Sequence, residues 1–217
     1  MNFELIQPWS TFVMKTKLSP TVLDSMLKIT DEIINTQESD SHELNAGQVN
    51  LQYWVDEEIL RQEQVLDYLM FGCQTYVAEA FKQSFKSWPD KSRTNKWMTQ
   101  MTSIWINSQY DNEYFPIHIH TSCSISAVMY LKIPEILPCR QIYEDQINGG
   151  TDGCIEFINN ISTDQIWSQP NLKILPQVGD FFIFPSTLRH QVYPFRTPDG
   201  KGERRSVSFN ADFEPIN

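Results

Sequence analysis

The sequence predicts an α+β protein that is mainly β, with a jelly-roll core behind a helical N-terminal part. Apolar residues recur at helical spacing in residues 1–98, whereas residues 99–217 alternate between apolar and polar side chains. The alternating segments are rich in β-branched and aromatic residues, and no helical pattern lies between them. This order favours an antiparallel sandwich or jelly roll over a parallel α/β sheet.

The N-terminal part is predicted to begin with a helix from about residue 20 to 36. Ser19 and Pro20 form a typical N-cap and first-turn pair before a run of apolar residues at helical spacing. The polar segment 39–52 is predicted to be a loop. From Asp56 a second apolar stripe predicts one long helix that ends near Trp88-Pro89. We expect both helices to support one outer face of the sheet.

The C-terminal part is predicted to contain seven or eight strands. They fall in seven segments that Gly, Pro, Asn and Asp separate: residues 98–109, 115–123, 124–134, 153–160, 172–186, 189–195 and 203–213.

Composition excludes several functional classes. Of the 217 residues, 41% are hydrophobic and 20% charged, and 17 Lys and Arg against 27 Asp and Glu give a formal net charge of -10. This charge disfavours a phosphate backbone, so we expect no nucleic-acid partner. The sequence has neither an apolar run of the roughly 20 residues that span a membrane nor the pattern of a signal peptide. We therefore expect one cytoplasmic domain over residues 1–217, not associated with a membrane.

Three of the four histidines lie in the predicted strands. His118 and His120 are two residues apart, and side chains at i and i+2 of a strand project from the same face, so both imidazoles can bind one metal ion. His190 follows a later predicted strand, which a jelly roll can bring close to the first pair. An isolated histidine is more often structural, and it is the three together that indicate a metal site.

The last predicted strand has two unlike faces. Alternation places Arg205, Val207 and Phe209 on one face, and we expect Val207 and Phe209 to pack against the helices. The other face is a polar row: Arg204, Ser206, Ser208 and Asn210. A buried Arg204 needs an anionic partner, which is either a protein carboxylate or a bound anion. In the alternative arrangement Arg204 is exposed and pairs with Glu203 or Asp199.

The order of these motifs resembles that of the 2-oxoglutarate/Fe(II)-dependent oxygenases. The motifs are HIH, SAVMYLKIP, a Gly-Gly loop with CIEF, PQVGDFFIFPSTLRHQVYP and ERRSVSFN, over about residues 103–212. The chain is similar in particular to a bacterial and phage subgroup with an H-x-H first motif. The resemblance implies a cupin-like double-stranded β-helix that uses Fe(II), 2-oxoglutarate and dioxygen to hydroxylate an unidentified substrate, with release of succinate and CO2.

The same resemblance implies roles for individual residues. The metal ligands, which are also the catalytic residues, would be His118, His120 and His190. Co-substrate-binding residues would be Arg204 and Ser206, which bind the distal carboxylate, with Tyr130 as a weaker candidate. Asn107, which precedes the histidine strand, is a further weak candidate on its position alone and could bind co-substrate or substrate. A core tyrosine and an asparagine that ends a strand are the alternatives for the last two.

One departure from the family pattern concerns the metal ligands. Most of the superfamily uses two histidines and a carboxylate, and the usual position of the acid holds His120 here. Three possibilities remain: a site of three histidines, a degenerate site, or a carboxylate that reaches the metal, such as Glu156, Asp111 or Glu113. We prefer three histidines, because the subgroup itself carries H-x-H. Glu156 is expected to face solvent or a polar network, and Asp111 and Glu113 to lie in a solvated turn.

Two other functional classes stay open on the sequence alone. One is a cupin-like metalloenzyme that uses three histidines without 2-oxoglutarate, and the other is a non-catalytic jelly-roll binding module. The loops that select a substrate carry no readable code. The oligomeric state is also open, a homodimer included.

Overall fold

The computed structural model describes residues 11–39, 48–84, 97–138, 150–159 and 171–216. In chain order the strands are β1 (Met14–Lys17), β2 (Leu51–Trp54), β3 (Trp97–Gln109), β4 (Phe115–His118), β5 (Ile125–Lys132), β6 (Ile155–Ile158), β7 (Asn171–Ile174), β8 (Asp180–Pro185), β9 (Arg189–Val192) and β10 (Arg204–Pro215). The helices are α1 (Pro20–Thr36), α2 (Glu57–Gln62) and α3 (Leu66–Ser84). The predicted helix end near Trp88-Pro89 lies outside the described residues.

The strands form two antiparallel sheets. The larger sheet has six strands in the order β1-β8-β5-β10-β3-β2, and the smaller has four in the order β4-β9-β6-β7. The predicted fold class, a mainly β jelly roll with N-terminal helices, is confirmed. Within the described ranges no helix is long and apolar enough to cross a membrane.

Helix α1 has the predicted bounds because its N-terminus is capped. The Ser19 Oγ accepts a hydrogen bond from the Val22 N–H at 3.3 Å, and Pro20 occupies the first turn, where no N–H is needed. Its buried face includes Met26 and Ile33. The apolar spacing in the sequence therefore corresponds to the face that packs on the sheet.

The predicted single long helix is wrong, because the chain forms α2 and α3 instead. Gln64 between them has a φ of 58°, in the left-handed region, which interrupts the helical hydrogen bonds. The Val65 N–H instead bonds to the Leu60 oxygen at 2.8 Å. Leu60 and Leu66 are both buried in the same core cluster. The apolar stripe therefore continues across the break, and periodicity alone could not reveal it.

The N-terminal part is also less helical than predicted, since it contributes two strands. β1 pairs with β8 and β2 pairs with β3, so these strands form the two edges of the larger sheet. Strand β2 begins within the last two residues of the predicted loop 39–52 and continues to Trp54. Each strand has only four residues, too few to display clear alternation. The segment 172–186 likewise contains two strands, β7 and β8.

Two apolar clusters lie on opposite faces of the larger sheet. The cluster against the helices joins Val207 and Phe209 of β10 to Met26 of α1 and Leu69 of α3. The smaller cluster lies between the two sheets. The face of β10 opposite Val207 is therefore turned toward the smaller sheet, as its alternation predicts.

Candidate functional site

The three predicted histidines lie together between the two sheets. His118 of β4 is paired in register with His190 of β9, and their ring centroids are 4.2 Å apart. The Nε2 atom of His120 lies 3.3 Å from the Nε2 of His190. One nitrogen from each ring lies within 4.8 Å of the other two. The three imidazoles can therefore contact one metal ion.

His120 reaches this position although it does not belong to strand β4, which ends at His118. Its N–H donates to the Ser186 oxygen at 2.9 Å. The Ser186 Oγ in turn donates to the Cys123 oxygen at 2.6 Å, so Ser186 is bonded to both ends of the segment 120–123. The indole of Trp105 stacks on the imidazole, with centroids 5.7 Å apart and planes 29° apart. Backbone contacts to the β8–β9 turn and the indole of β3, rather than the β4–β9 ladder, therefore position this residue.

Backbone carbonyls determine which nitrogen of two rings carries the proton. The His118 Nδ1 lies 2.7 Å from the Pro116 oxygen, and the His190 Nδ1 lies 2.9 Å from the Leu188 oxygen. A carbonyl oxygen can only accept, so in both rings Nδ1 is the donor and Nε2 presents a lone pair. A neutral imidazole with a free nitrogen is the form that binds metals.

Burial keeps all three imidazoles neutral. It lowers the pKa of His118, lowers that of His120 to about 4 and lowers that of His190 to about 3. The neighbouring imidazoles add to the effect on His120 and His190, because two charged rings this close would repel each other. At neutral pH no proton competes with a metal ion for these nitrogens.

No carboxylate joins the three histidines within the described part of the chain. Glu156 pairs with Gln191 on the smaller sheet, one residue out of step with the pairing of Phe157 and His190, so its side chain lies on the opposite face. There its Oε2 accepts hydrogen bonds from Gln191 and, at 2.6 Å, from the Tyr193 hydroxyl. This carboxylate therefore belongs to a polar network away from the histidines.

The other two candidate acids also have structural partners. Asp111 accepts hydrogen bonds from the Thr197 N–H at 3.0 Å and the Thr197 hydroxyl at 2.7 Å. Glu113 accepts from the Asn50 side chain at 2.7 Å and the Tyr110 N–H at 2.9 Å. The expectation of a solvated turn is wrong for Glu113, because only 8% of this residue is exposed.

The histidines line a cavity between the sheets with about 500 Å³ of empty space, its open mouth included. Polar groups of the larger sheet line its wall: Asn107, Gln109, Tyr130, Ser206 and Ser208. The remaining wall is mostly apolar, with Trp105, Phe184 and Val192 among its residues. The wall beside the histidines therefore combines a few hydrogen-bonding groups with apolar surface, which is the composition typical of a small-molecule site.

Arg204 lies behind this wall, completely buried, and no acidic side chain of the described residues is bonded to it. Its Nη1 donates to the Gly153 oxygen at 2.8 Å, and its Nη2 donates to the Gln109 Oε1 at 3.1 Å and more weakly to the Tyr193 oxygen at 3.4 Å. The guanidinium also lies 4.7 Å from the ring centroid of Phe195. Burial lowers the pKa of Arg204 to about 10, so the group is charged at neutral pH.

The alternative of an exposed Arg204 paired with Glu203 or Asp199 is wrong. The Glu203 carboxylate instead accepts from the Nε of Arg205, at 2.7 Å. Asp199 accepts from the Lys201 N–H at 3.0 Å. A buried guanidinium with neutral partners only, in the described ranges, fits a bound anion as its missing partner.

The remaining predicted site residues all line the cavity: Asn107, Tyr130 and Ser206. The Asn107 amide accepts from the Gln52 Nε2 at 2.7 Å and donates to the Ser208 Oγ at 3.2 Å, so protein partners use one lone pair of its oxygen and one of its two N–H groups. Burial raises the pKa of Tyr130 to about 12, which keeps its hydroxyl protonated. Ser206 lies opposite Tyr130 in the β10–β5 ladder.

Gln109 and Trp105 line the cavity although the sequence did not indicate them as site residues. Gln109 contacts Arg204, and Trp105 contacts His120. Both follow the period-two alternation of β3 through Asn107, which was a candidate. This alternation is the signal that could have identified them.

The donor set fits a divalent cation together with a carboxylate ligand. Three neutral nitrogen ligands suit a borderline metal such as Fe(II). Two buried donors, the Arg204 Nε and the Gln109 Nε2, have no hydrogen-bond partner among the described residues. Buried donors are almost always paired, so this pair fits an acceptor that occupies the site when the protein functions.

Comparison with known proteins gives the same indication. A family model with the description "Putative 2OG-Fe(II) oxygenase" matches residues 103–210, which contain the three histidines, Arg204 and Gln109. None of the curated protein sequences matches the chain.

Solved structures with low sequence identity share the fold. A prolyl-4-hydroxylase from Pseudomonas putida is 14% identical with a TM-score of 0.53, over 94% of this chain and 93% of its own. AviO1 from Streptomyces viridochromogenes is 12% identical with a TM-score of 0.55, over 92% and 89%. A 2OG-Fe(II) oxygenase family oxidoreductase from Burkholderia pseudomallei is 14% identical with a TM-score of 0.38. The match covers 62% of this chain and 49% of the Burkholderia protein.

At these identities the first two likenesses establish the jelly-roll fold and nothing finer. The family match adds the sequence motifs, and it covers the strands that carry the histidines and both unpartnered donors. The chain belongs to the 2OG-Fe(II) oxygenase family, whose members are oxidoreductases that use Fe(II) and 2-oxoglutarate.

Proposed function

We propose that this 2OG-Fe(II) oxygenase is a dioxygenase that binds Fe(II) through His118, His120 and His190 and hydroxylates a C–H bond of a substrate not yet identified. The observation that carries the proposal is the approach of three neutral imidazole nitrogens to within 4.8 Å of one another at the wall of a cavity. The buried Arg204, which no acid of the described residues neutralises, supports the co-substrate part of the proposal.

In this chemistry Fe(II) supplies the means to activate dioxygen, so that 2-oxoglutarate becomes succinate and CO2 while one oxygen atom enters succinate and the other enters the substrate. The chain contributes binding and orientation. The Nδ1 hydrogen bonds of His118 and His190 hold their Nε2 atoms toward the cavity. The stacked indole of Trp105 and the backbone hydrogen bond to Ser186 position the His120 ring.

Arg204 and Ser206 are proposed to bind the distal carboxylate of 2-oxoglutarate. The interaction of a guanidinium with an anion is more favourable in a site without water than in solution, because water does not screen the two charges there. Tyr130, with a protonated hydroxyl, and Asn107, with one N–H still available, line the same wall and are proposed to donate further hydrogen bonds. The apolar remainder of the wall excludes water from the reacting groups.

The experiment that tests the proposal measures metal binding, co-substrate binding and turnover separately. Purified protein is titrated with Mn(II), then with 2-oxoglutarate, and succinate is measured after addition of Fe(II) and dioxygen. We expect His190→Ala to lose metal binding, and Arg204→Met to retain metal binding but lose 2-oxoglutarate binding. Glu156→Gln is the control and retains both. Metal binding by the wild type without any binding of 2-oxoglutarate would overturn the proposal in favour of a three-histidine metalloenzyme of another kind.

A further inference from the structure

Gln109 contacts Arg204 and also lines the cavity. It is the last residue of β3 and lies directly opposite Arg204 in the β3–β10 ladder. Gln109 is 1% exposed, yet it lines the cavity, whereas Arg204 does not. A small molecule in the cavity therefore meets the Gln109 side chain at this part of the wall.

The hydrogen bond from Arg204 fixes the orientation of this amide. Because the Gln109 Oε1 accepts from the Arg204 Nη2 at 3.1 Å, the oxygen faces the guanidinium and the NH2 group faces elsewhere. The Gln109 Nε2 has no partner among the described residues, although it is buried. A buried amide nitrogen that donates nothing is costly and rare, so an acceptor is missing at this position.

The chemistry of the missing acceptor follows from the same contacts. A cation that donates to the amide oxygen polarises the amide and makes its N–H a stronger donor. The Arg204 Nε is a second unpartnered donor of the same pair of side chains. Two such donors beside one net positive charge suit an anionic oxygen acceptor, and a carboxylate offers two oxygens.

We propose that Gln109 binds the distal carboxylate of 2-oxoglutarate through its Nε2, and that Arg204 acts on this carboxylate in part through the Gln109 amide. This inference rests on the proposed function, in which the cavity binds 2-oxoglutarate. It makes Gln109 a co-substrate-binding residue that selects an oxo acid with a second carboxylate.

Two ligands that differ only at the far end test this role. Binding of 2-oxoglutarate and of 2-oxopentanoate, which has a methyl group in place of the distal carboxylate, is measured by calorimetry on the Mn(II)-loaded protein without dioxygen. For Gln109→Leu we expect 2-oxoglutarate to bind about 10- to 100-fold more weakly, the usual range for a lost hydrogen bond to a charged group, and 2-oxopentanoate to bind as it does to wild type. For Gln109→Glu we expect a larger loss for 2-oxoglutarate alone, because the new carboxylate pairs with Arg204 and repels the ligand.

Gln100→Leu, the same substitution at an exposed position of β3, is the matched control, and it should bind both ligands like wild type. Thermal melting and Mn(II) affinity verify that each variant is folded. Unchanged binding of 2-oxoglutarate to Gln109→Leu, or equal losses for both ligands, would overturn the role of Gln109 and leave the proposed function intact. If the Mn(II)-loaded wild type binds neither ligand, the proposed function fails and this inference fails with it.

Discussion

Arg204 and Arg205 provide a direct comparison of two adjacent buried arginines with different partners. They are 0% and 4% exposed and lie on opposite faces of β10. Arg204 has neutral acceptors only in the described ranges, whereas Arg205 has two carboxylates. We predict that replacement of each by Met has opposite consequences for stability and for co-substrate binding.

For Arg204 the two effects on stability nearly cancel. Burial lowers its pKa well below the usual value, to about 10, and at about 1.4 kcal/mol per pKa unit the charged guanidinium costs the folded state roughly 3 kcal/mol. Because the pKa of a base is lowered, this cost is fully present below pH 10 and disappears at higher pH, where the guanidinium loses its proton in the unfolded chain as well. Arg204→Met removes the cost but deprives three acceptors of hydrogen bonds, at about 1 kcal/mol each. We expect a net change within about 1 kcal/mol.

For Arg205 the two carboxylate partners determine how much stability the substitution by Met removes. Its Nε and Nη2 donate to the two oxygens of Glu203 at 2.7 and 2.9 Å, and its Nη1 donates to Asp31 at 2.5 Å. Burial alone would lower the pKa of Arg205, but these carboxylates raise it. Arg205→Met leaves Glu203 largely buried with only Ser108 and the more distant Lys132 beside it, so we expect a loss of about 2 to 3 kcal/mol.

Urea unfolding of the Mn(II)-loaded proteins, with and without 2-oxoglutarate, measures both consequences. Arg204→Met should unfold at a urea concentration near that of wild type, but 2-oxoglutarate should no longer stabilise it. Arg205→Met should unfold at a lower concentration and still gain stability from 2-oxoglutarate. If Arg204→Met is destabilised as much as Arg205→Met, then Arg204 has a compensating partner and its assignment to a bound anion is refuted.

Three further predictions concern other parts of the molecule. His190→Ala should weaken Mn(II) binding at least about 100-fold in equilibrium dialysis, because a metal site loses most of its affinity when one ligand is removed. Glu156→Gln should leave Mn(II) binding unchanged, and equal losses in the two variants would contradict a site of three histidines. The hydrogen bond from Arg205 lowers the pKa of Asp31 below 3.8, so wild-type stability in urea should fall as the pH drops below about 4, and a fall of the same size in Arg205→Met would contradict this linkage. Gln64→Gly should raise the free energy of unfolding by roughly 0.5 to 1 kcal/mol, because a φ of 58° costs glycine nothing, and a decrease would show that the Gln64 side chain makes a compensating contact.

Local patterns in the sequence are sufficient for the features that depend on one element. The capped start of α1 and the two faces of β10 follow from spacing within a few residues, and the structure has both. The buried position of Arg204 follows from the same alternation. The break at Gln64 is equally local, but a left-handed glutamine has no sequence signal, and the apolar stripe continues across it.

Features that depend on the register between distant strands could not be predicted in this way. Gln109 meets Arg204 across 95 positions of the chain, and the pairing depends on how β3 and β10 align. The position of His120 depends on Ser186 in a distant turn, because β4 ends before this residue. Single-strand alternation predicts which face a side chain occupies, whereas its partner depends on tertiary structure.

The charges at the site explain why a third histidine suits a cavity with this wall. The lining residues include no acid in the described ranges, and the charged guanidinium of Arg204 contacts the lining residue Gln109. Three neutral imidazoles leave a bound divalent cation its full charge, whereas a carboxylate ligand would neutralise half of it. A dianion such as 2-oxoglutarate, bound as proposed, would be attracted both by the metal cation and by the guanidinium, with no carboxylate among the described lining residues to repel it. Because each of these charges is costly to bury alone, metal and co-substrate should each increase the affinity of the site for the other, and by the same factor.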